Sequence, residues 1–245
     1  MSRLRPVVLV ISGLDPTGGA GLLLDVRVLA EHDVYAAGVV SALTDQDTSG
    51  VYSVGTVPPA VVEQQIQRVL ADLKVAAVKI GMLGSTQVAA AVARALAATQ
   101  APLVLDPVLR ATGGGAALLD DPAALDPLIR RATLVTPNLD EANSFGGPAG
   151  LRARGARAVL VKGGHRTGGD QIVDRFIDGK HVVESAFPRI PGGEVHGTGC
   201  ALASSIAAHL ARGARLAEAV ALAQAYVRDK IAGAQKLGRG SRIIV

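Results

Sequence analysis

Short runs of apolar, often β-branched residues alternate along this chain with longer segments rich in Ala and Leu. PVVLVISG (6–13) reads as a buried strand, followed by a helix from about Gly19 to His32. VYAAGVVSAL (34–43) and VYSVGTV (51–57) are the next strands, and Pro58-Pro59 opens a helix over AVVEQQIQRVLADL. AAVKIG (76–81) and PLVLD (102–106) are strands on either side of the helix STQVAAAVARALAAT. RATLVTPN (131–138) ends a further strand, ARAVLVKGG (156–164) gives another, and 171–187 reads as a hairpin turning at Asp178-Gly179. Two helices close the pattern from about 198 to 236, broken near Gly213. Such alternation predicts an α/β fold with a mostly parallel sheet and helices on both faces. With no fixed-period repeat, linker or low-complexity tract, one domain spanning 1–245 is expected.

Ligands of open α/β sheets collect outside the carboxyl ends of the strands. Polar or glycine residues fall there repeatedly: Asp15, Gln46, Gly81-Met82, Asp106, Asn138 with Glu141, and Lys162-Gly163-Gly164-His165. The sharpest motif is Gly197-Thr198-Gly199-Cys200, which opens onto an Ala-rich helix. A helix start offers unpaired N–H groups and the positive dipole end, suited to a phosphate or to charge developing on a transferring group. The chain's single cysteine sits in that field, which is expected to favour its thiolate. The plainer reading is a tight glycine turn beside a small buried Cys.

Other motifs are weaker alone. Gly13-Leu14-Asp15-Pro16-Thr17-Gly18-Gly19-Ala20-Gly21 follows a strand, yet Gly19-Ala20 replaces the Lys and Ser/Thr of a P-loop, and Leu24 breaks a dinucleotide fingerprint. It serves either close helix packing or substrate approach. Asp106 and Glu141 would suit Mg²⁺ together, since that ion uses one or two carboxylates plus phosphate oxygens. Their plainer readings are a turn residue and a first-turn helix acid. Lys162 offers a point charge to a nucleotide phosphate, or is a snorkelling strand-end lysine. The five histidines form no zinc spacing, and no GxSxG elbow is present.

Composition narrows the partners. Hydrophobic residues make up 49% and aromatics 2%, so the core is built from Ala, Val, Leu and Ile. One cysteine excludes an intrachain disulfide and fits a reducing compartment, with a cytoplasmic location expected. The net charge of +4 comes from scattered basic residues without aromatic stacking partners, which argues against nucleic acid and is compatible with attracting anionic substrates. MSRLRPVVLVISG reads as a first strand and not a signal peptide, and no apolar run approaches transmembrane length.

In order, ISGLDPTGGAGLLLD, SALTDQDTSGV, VKIGMLGS, LDPVL, VTPNLDEA, VKGGH and HGTGCALASSIAAHLARG resemble the hydroxymethylpyrimidine/phosphomethylpyrimidine kinases of thiamine biosynthesis, within the ribokinase-like superfamily. The resemblance implies a three-layer αβα sandwich that uses ATP and Mg²⁺. It implies phosphorylation of 4-amino-5-hydroxymethyl-2-methylpyrimidine and then of its monophosphate. Gln46 matches the glutamine that hydrogen-bonds the aminopyrimidine, and Asp25, Met82 and Val108 match other substrate-pocket positions. Lys162 and Asn138 match nucleotide positions, and Asp106 and Glu141 match positions associated with the metal. Gly197, Thr198 and Gly199 match the anion hole, with Cys200 where most ribokinase-like enzymes carry a catalytic Asp. A homodimer is the expected assembly, with no membrane or nucleic-acid partner. The chain departs from the pattern at Glu194-Val195, at Ala201, at Asp47, and over Leu109-Arg110-Ala111-Thr112-Gly113. A pyridoxal kinase and a non-catalytic ligand-binding module are the competing functions. Gln46 and Met82 argue for the pyrimidine, and the intact Lys162, Asp106 and Glu141 argue for catalysis.

Overall fold

A computed structural model describes residues 4–110, 117–119, 121–164 and 170–245. His165 and the Ala111-Thr112-Gly113 part of the departing loop therefore lie outside the described residues. In chain order the elements begin with β1 (Val7–Leu14), α1 (Gly21–Glu31), β2 (Tyr35–Asp47) and β3 (Gly50–Thr56). They continue through α2 (Pro59–Asp72), β4 (Val75–Ile80), α3 (Thr86–Leu96) and β5 (Leu103–Leu105). A 3-10 turn, Pro122–Leu125, precedes α4 (Asp126–Arg131), β6 (Leu134–Val135), α5 (Leu139–Ser144), α6 (Gly147–Ala153) and β7 (Ala158–Val161). The last are β8 (Gln171–Asp178), β9 (His181–Pro188), β10 (Val195–His196), α7 (Thr198–Ala211), α8 (Leu216–Ala232) and β11 (Arg242–Ile243).

Nine strands form one sheet in the order β3-β2-β1-β4-β5-β6-β7-β8-β9. Pairing is parallel from β2 to β7, and the antiparallel β3, β8 and β9 complete the edges. From β1 the chain goes first to β2 on one side, then reaches β4 on the other. Right-handed crossovers therefore put α1 on one face and the later crossover helices on the opposite one. Packing follows that rule. Leu24 and Val28 of α1 join α7 and α8 in one core cluster, whereas Val62, Ile66, Val88 and Ile129 fill the other. The α/β reading with helices on both faces holds, as a mixed, mostly parallel sheet.

Three local readings change. β2 does not stop at residue 43 but continues to Asp47, because Thr44, Asp45 and Gln46 pair with Val54, Ser53 and Val51 of β3. Gln46 thus stands within a hairpin arm and not beyond a strand end. The strand expected over 131–138 shrinks to Leu134–Val135: Arg131 closes α4, and Pro137 has no N–H for the ladder. Residues 126–153 hold three short helices with too few turns to show a clear period.

Strand alternation decides which residues meet. Val8 and Val10, Ala77, Val104, Leu134, and Ala158 with Leu160 all face α1, α7 and α8. Two residues further along, the same faces continue as Ser12, Lys79, Asp106, Thr136 and Lys162. Five strands thereby deliver their polar tips to one side of the sheet.

Candidate active site

On that side, α7 points its N-terminus at the tips. Its N-cap is Gly197, with φ +86°, and no side chain caps the helix. A Cβ at Gly197 would stand 2.0 Å from the Gly19 carbonyl oxygen, so the close approach of the two loops needs glycine there. The N–H groups of Thr198, Gly199 and Cys200 precede the first helical bond, from Ala201 N–H to Gly197 O.

Lys162 reaches the same spot. Its Nζ donates to Asp106 Oδ1 at 2.6 Å, and Thr136 Oγ1 donates to that oxygen at 3.1 Å. A Cβ added to Gly199 would lie 3.1 Å from Lys162 Nζ and 3.5 Å from Asp106 Oδ2. Lysine, carboxylate and helix start, far apart in sequence, share one small space. Beside them Asn138 and Glu141 form a capping box: Asn138 N–H donates to Glu141 Oε2, and Glu141 N–H donates to Asn138 Oδ1, each at 2.8 Å. Burial pushes the Glu141 carboxyl up to about 7 against the pull of Lys162, with Asp106 adding repulsion.

Cys200 departs from the thiolate expectation. Burial pushes its thiol up to about 11, and the charges of Asp25 and Asp106 add to the rise. Lys79 and the Gly21 N–H pull the other way and do not offset it. A helix start is worth a few tenths to about 1 kcal/mol in open settings, which is small against desolvation. The resting group is a protonated thiol.

Asp25 also differs from its expected place. Its side chain is fully buried, with Oδ2 accepting from Lys79 Nζ at 2.6 Å and Oδ1 from Ser204 Oγ at 2.7 Å. The carboxylate braces the floor of the site and does not line an opening. Met82 and Val108 are half-buried, and the Met82 side chain packs over Gly13.

A second polar group lies across the glycine turn from Cys200. The Gln46 carboxamide stands 3.1 Å from His196 Nε2 and 3.0 Å from Thr44 Oγ1. His196 Nε2 is also 3.1 Å from Asp15 Oδ2, and the backbone N–H and hydroxyl of Thr17 bind Asp15 Oδ1. Burial pushes the Asp15 carboxyl up, but the His196 and Thr17 hydrogen bonds outweigh it and leave it below its ordinary value. His196 was excluded as a zinc ligand from sequence, and its polar role was not read. Lys79, Thr44 and Thr136 were missed as well. Lys79 was detectable as the one charge inside the apolar run AAVKIG.

Among the described residues no group of three or more His, Cys, Asp or Glu side chains forms a metal cage. Asp106 and Glu141 alone suit an ion that completes its shell with substrate oxygens. No described helix is long and apolar enough to cross a membrane.

The family model described as phosphomethylpyrimidine kinase matches residues 15–244. A hydroxymethylpyrimidine/phosphomethylpyrimidine kinase of Rhizobium meliloti (strain 1021) is 40% identical, covering 96% of this chain and 95% of that protein. One from Aquifex aeolicus (strain VF5) is 33% identical over 97% of this chain and 99% of its own. Among solved structures, the pyridoxal kinase from Staphylococcus aureus in complex with AMP-PCP and pyridoxal superposes with a TM-score of 0.89 at 28% identity, covering 99% of this chain and 94% of that one. A phosphomethylpyrimidine kinase from Clostridium difficile 630 superposes with a TM-score of 0.79 at 30% identity, over 93% of this chain and 100% of its own.

Proposed function

This chain belongs to the phosphomethylpyrimidine kinase family and phosphorylates the hydroxymethylpyrimidine of thiamine biosynthesis and its monophosphate, and we propose that the cluster around Gly199 carries the transfer. The observation that supports this most is the meeting of Lys162, Asp106 and the α7 start within one side chain's width of Gly199.

Phosphoryl transfer needs positioning and charge stabilisation more than covalent help. The Lys162 ammonium binds the nucleotide phosphates, with Asn138 beside it at the end of the neighbouring strand. N–H groups of residues 197–200 receive the equatorial oxygens of the transferring group. Cys200 stands where the substrate hydroxyl must lose its proton, and a positioned base contributes about 10²–10⁴-fold. Because its thiol is raised to about 11, Cys200 acts as the base only in its ionised form, after giving its own proton to solvent; that thiolate then takes the hydroxyl proton as the alcohol oxygen attacks. Magnesium arriving with ATP would be held by Asp106 and Glu141 and would neutralise charge on the phosphate oxygens. Gln46, Met82 and Val108 hold the pyrimidine, with Asp25 fixing Lys79 and Ser204 in the floor. The exposed Leu43 and Tyr52 on the β2–β3 arm offer a self-association surface for a homodimer, and a cytoplasmic location accompanies the reading.

The test is ADP release with the pyrimidine, its monophosphate and pyridoxal. Turnover of both pyrimidines, falling at least about tenfold in Cys200→Ala with little change in pyrimidine binding, is expected. Unchanged turnover in that variant removes Cys200 from the mechanism, and preference for pyridoxal replaces the substrate. With an ATP analogue bound, the γ-phosphate is expected between Lys162 and Thr198. Phosphates lying on Gly18-Gly19-Ala20-Gly21 instead would mean that the nucleotide and substrate sites are exchanged.

A further inference from the structure

Gln46 has neighbours whose own hydrogen-bond capacities are already committed. The Thr44 hydroxyl has one proton, and the Leu14 carbonyl oxygen 2.8 Å away is able only to accept it. Toward Gln46, Thr44 Oγ1 is therefore an acceptor, and the amide atom 3.0 Å from it must be the NH₂. The second neighbour gives the same answer independently. Asp15 is an ionised carboxylate and only accepts, so His196 Nε2, 3.1 Å from Oδ2, carries a proton. With its one proton Nε2 has no lone pair left, so an NH₂ 3.1 Å away would set donor against donor; the amide atom there is the carbonyl oxygen, which shares that proton with Asp15 Oδ2. A half-turn of the carboxamide exchanges its O and N in place and leaves every heavy-atom distance intact. One orientation satisfies both neighbours, and the reverse sets donor against donor and acceptor against acceptor.

We infer that Asp15, His196 and Thr44 lock the Gln46 carboxamide with its oxygen on His196 Nε2–H and its NH₂ on Thr44 Oγ1, making these three residues determinants of substrate specificity. The lock uses one lone pair and one N–H of the amide. One acceptor and one donor remain, side by side on the outer edge. That edge complements a ring nitrogen adjacent to an exocyclic amino group, which an aminopyrimidine has and a pyridoxal ring lacks. Reversal of the amide would oppose both bonds at once, so the orientation itself selects the base. The inference rests on the pyrimidine kinase reading for its ligand, but not for the lock, which is a property of the unliganded protein.

Two measurements test it. In ¹⁵N-histidine-labelled, ligand-free protein, with His196→Gln used for assignment, His196 is expected to carry its proton on Nε2. Asp15→Asn is expected to shift the proton toward Nδ1. A His196 with unprotonated Nε2 overturns the lock. In steady-state kinetics, Thr44→Val is expected to raise the pyrimidine KM by about tenfold with kcat changed less than about threefold, and Thr44→Ser to restore it. A wild-type KM in Thr44→Val also overturns it. Should Thr44→Val not fold, the ¹⁵N measurement on the wild type decides alone. Absence of pyrimidine turnover in the wild type defeats the kinase reading, and the tautomer still decides the lock.

Discussion

The two faces of the central sheet are built for different purposes. Under α2, α3 and α4 the packing is branched aliphatic, with Leu9, Ile11, Ile66, Ile80, Leu105 and Ile129 fully enclosed. Ser41, whose hydroxyl donates to the Met82 carbonyl, is the buried polar side chain that faces this side from the strands. Under α1, α7 and α8 the packing is rich in alanine, including Ala201, Ala203, Ala207, Ala219 and Ala223. Buried there are the Lys79–Asp25 ion pair, Ser204, and Gln224, which donates to Asp174. Alanine lets the helix backbones approach the sheet, which confines the ionic groups to a small space with fixed partners. Both faces bury a core, but the ionic groups are gathered on one of them.

The largest effect that would break this contrast is loss of the buried pair. Lys79→Met leaves the Asp25 charge enclosed with Ser204 alone, and urea denaturation is expected to show a loss of about 3–5 kcal/mol. Replacing both partners, Lys79→Met with Asp25→Leu, should recover most of that stability while turnover stays low. A full loss in the double variant would show that the pair matters for shape more than for charge. On the opposite face, Leu105→Ala is expected to cost about 2–5 kcal/mol with the pyrimidine KM within twofold of wild type. A large KM change would mean that the faces are not separable.

Two smaller effects sharpen the charged side. With its thiol at about 11, Cys200 in the ligand-free protein should alkylate slowly at neutral pH, the rate rising about tenfold per pH unit toward that value. A rate that levels off below pH 8 would restore the thiolate first expected from the helix field. Glu141 gives the mildest signal. Its folded carboxyl is raised from 4.5 to about 7, so between these values the folded state retains a proton that the unfolded chain releases. Its contribution is therefore greatest in acid and is lost as pH rises through that window. Glu141→Gln should flatten the loss and raise Tm by a few degrees at pH 8, while weakening the response of turnover to magnesium. A lower Tm at that pH would contradict the assigned crowding of Glu141 with Asp106.

What could be read from the chain, and what could not, follows from these forces. Strands that bury both faces announce themselves as apolar runs, so β1, β4, β5 and β7 and the tips at Asp106 and Lys162 were legible. The β2 extension was not, because Thr44-Asp45-Gln46-Asp47 is polar on both faces and is held by pairing with β3 alone. Pattern also cannot weigh burial against a helix field, which is why the state of Cys200 was misjudged. Asp25 was placed by family resemblance in the pocket, whereas its partner Lys79, 54 residues away, holds it in the floor.

The protonated thiol has one more consequence. Peroxides attack thiolates, and thiols held protonated inside a protein are slow to enter the sequence of sulfenic, sulfinic and sulfonic acids. The chain has no second thiol to rescue an oxidised Cys200 as a disulfide. Burial near Asp25 and Asp106 keeps that sulfur in its least oxidisable form between turnovers. The fold thus holds its one thiol in the form that reacts most slowly with peroxides.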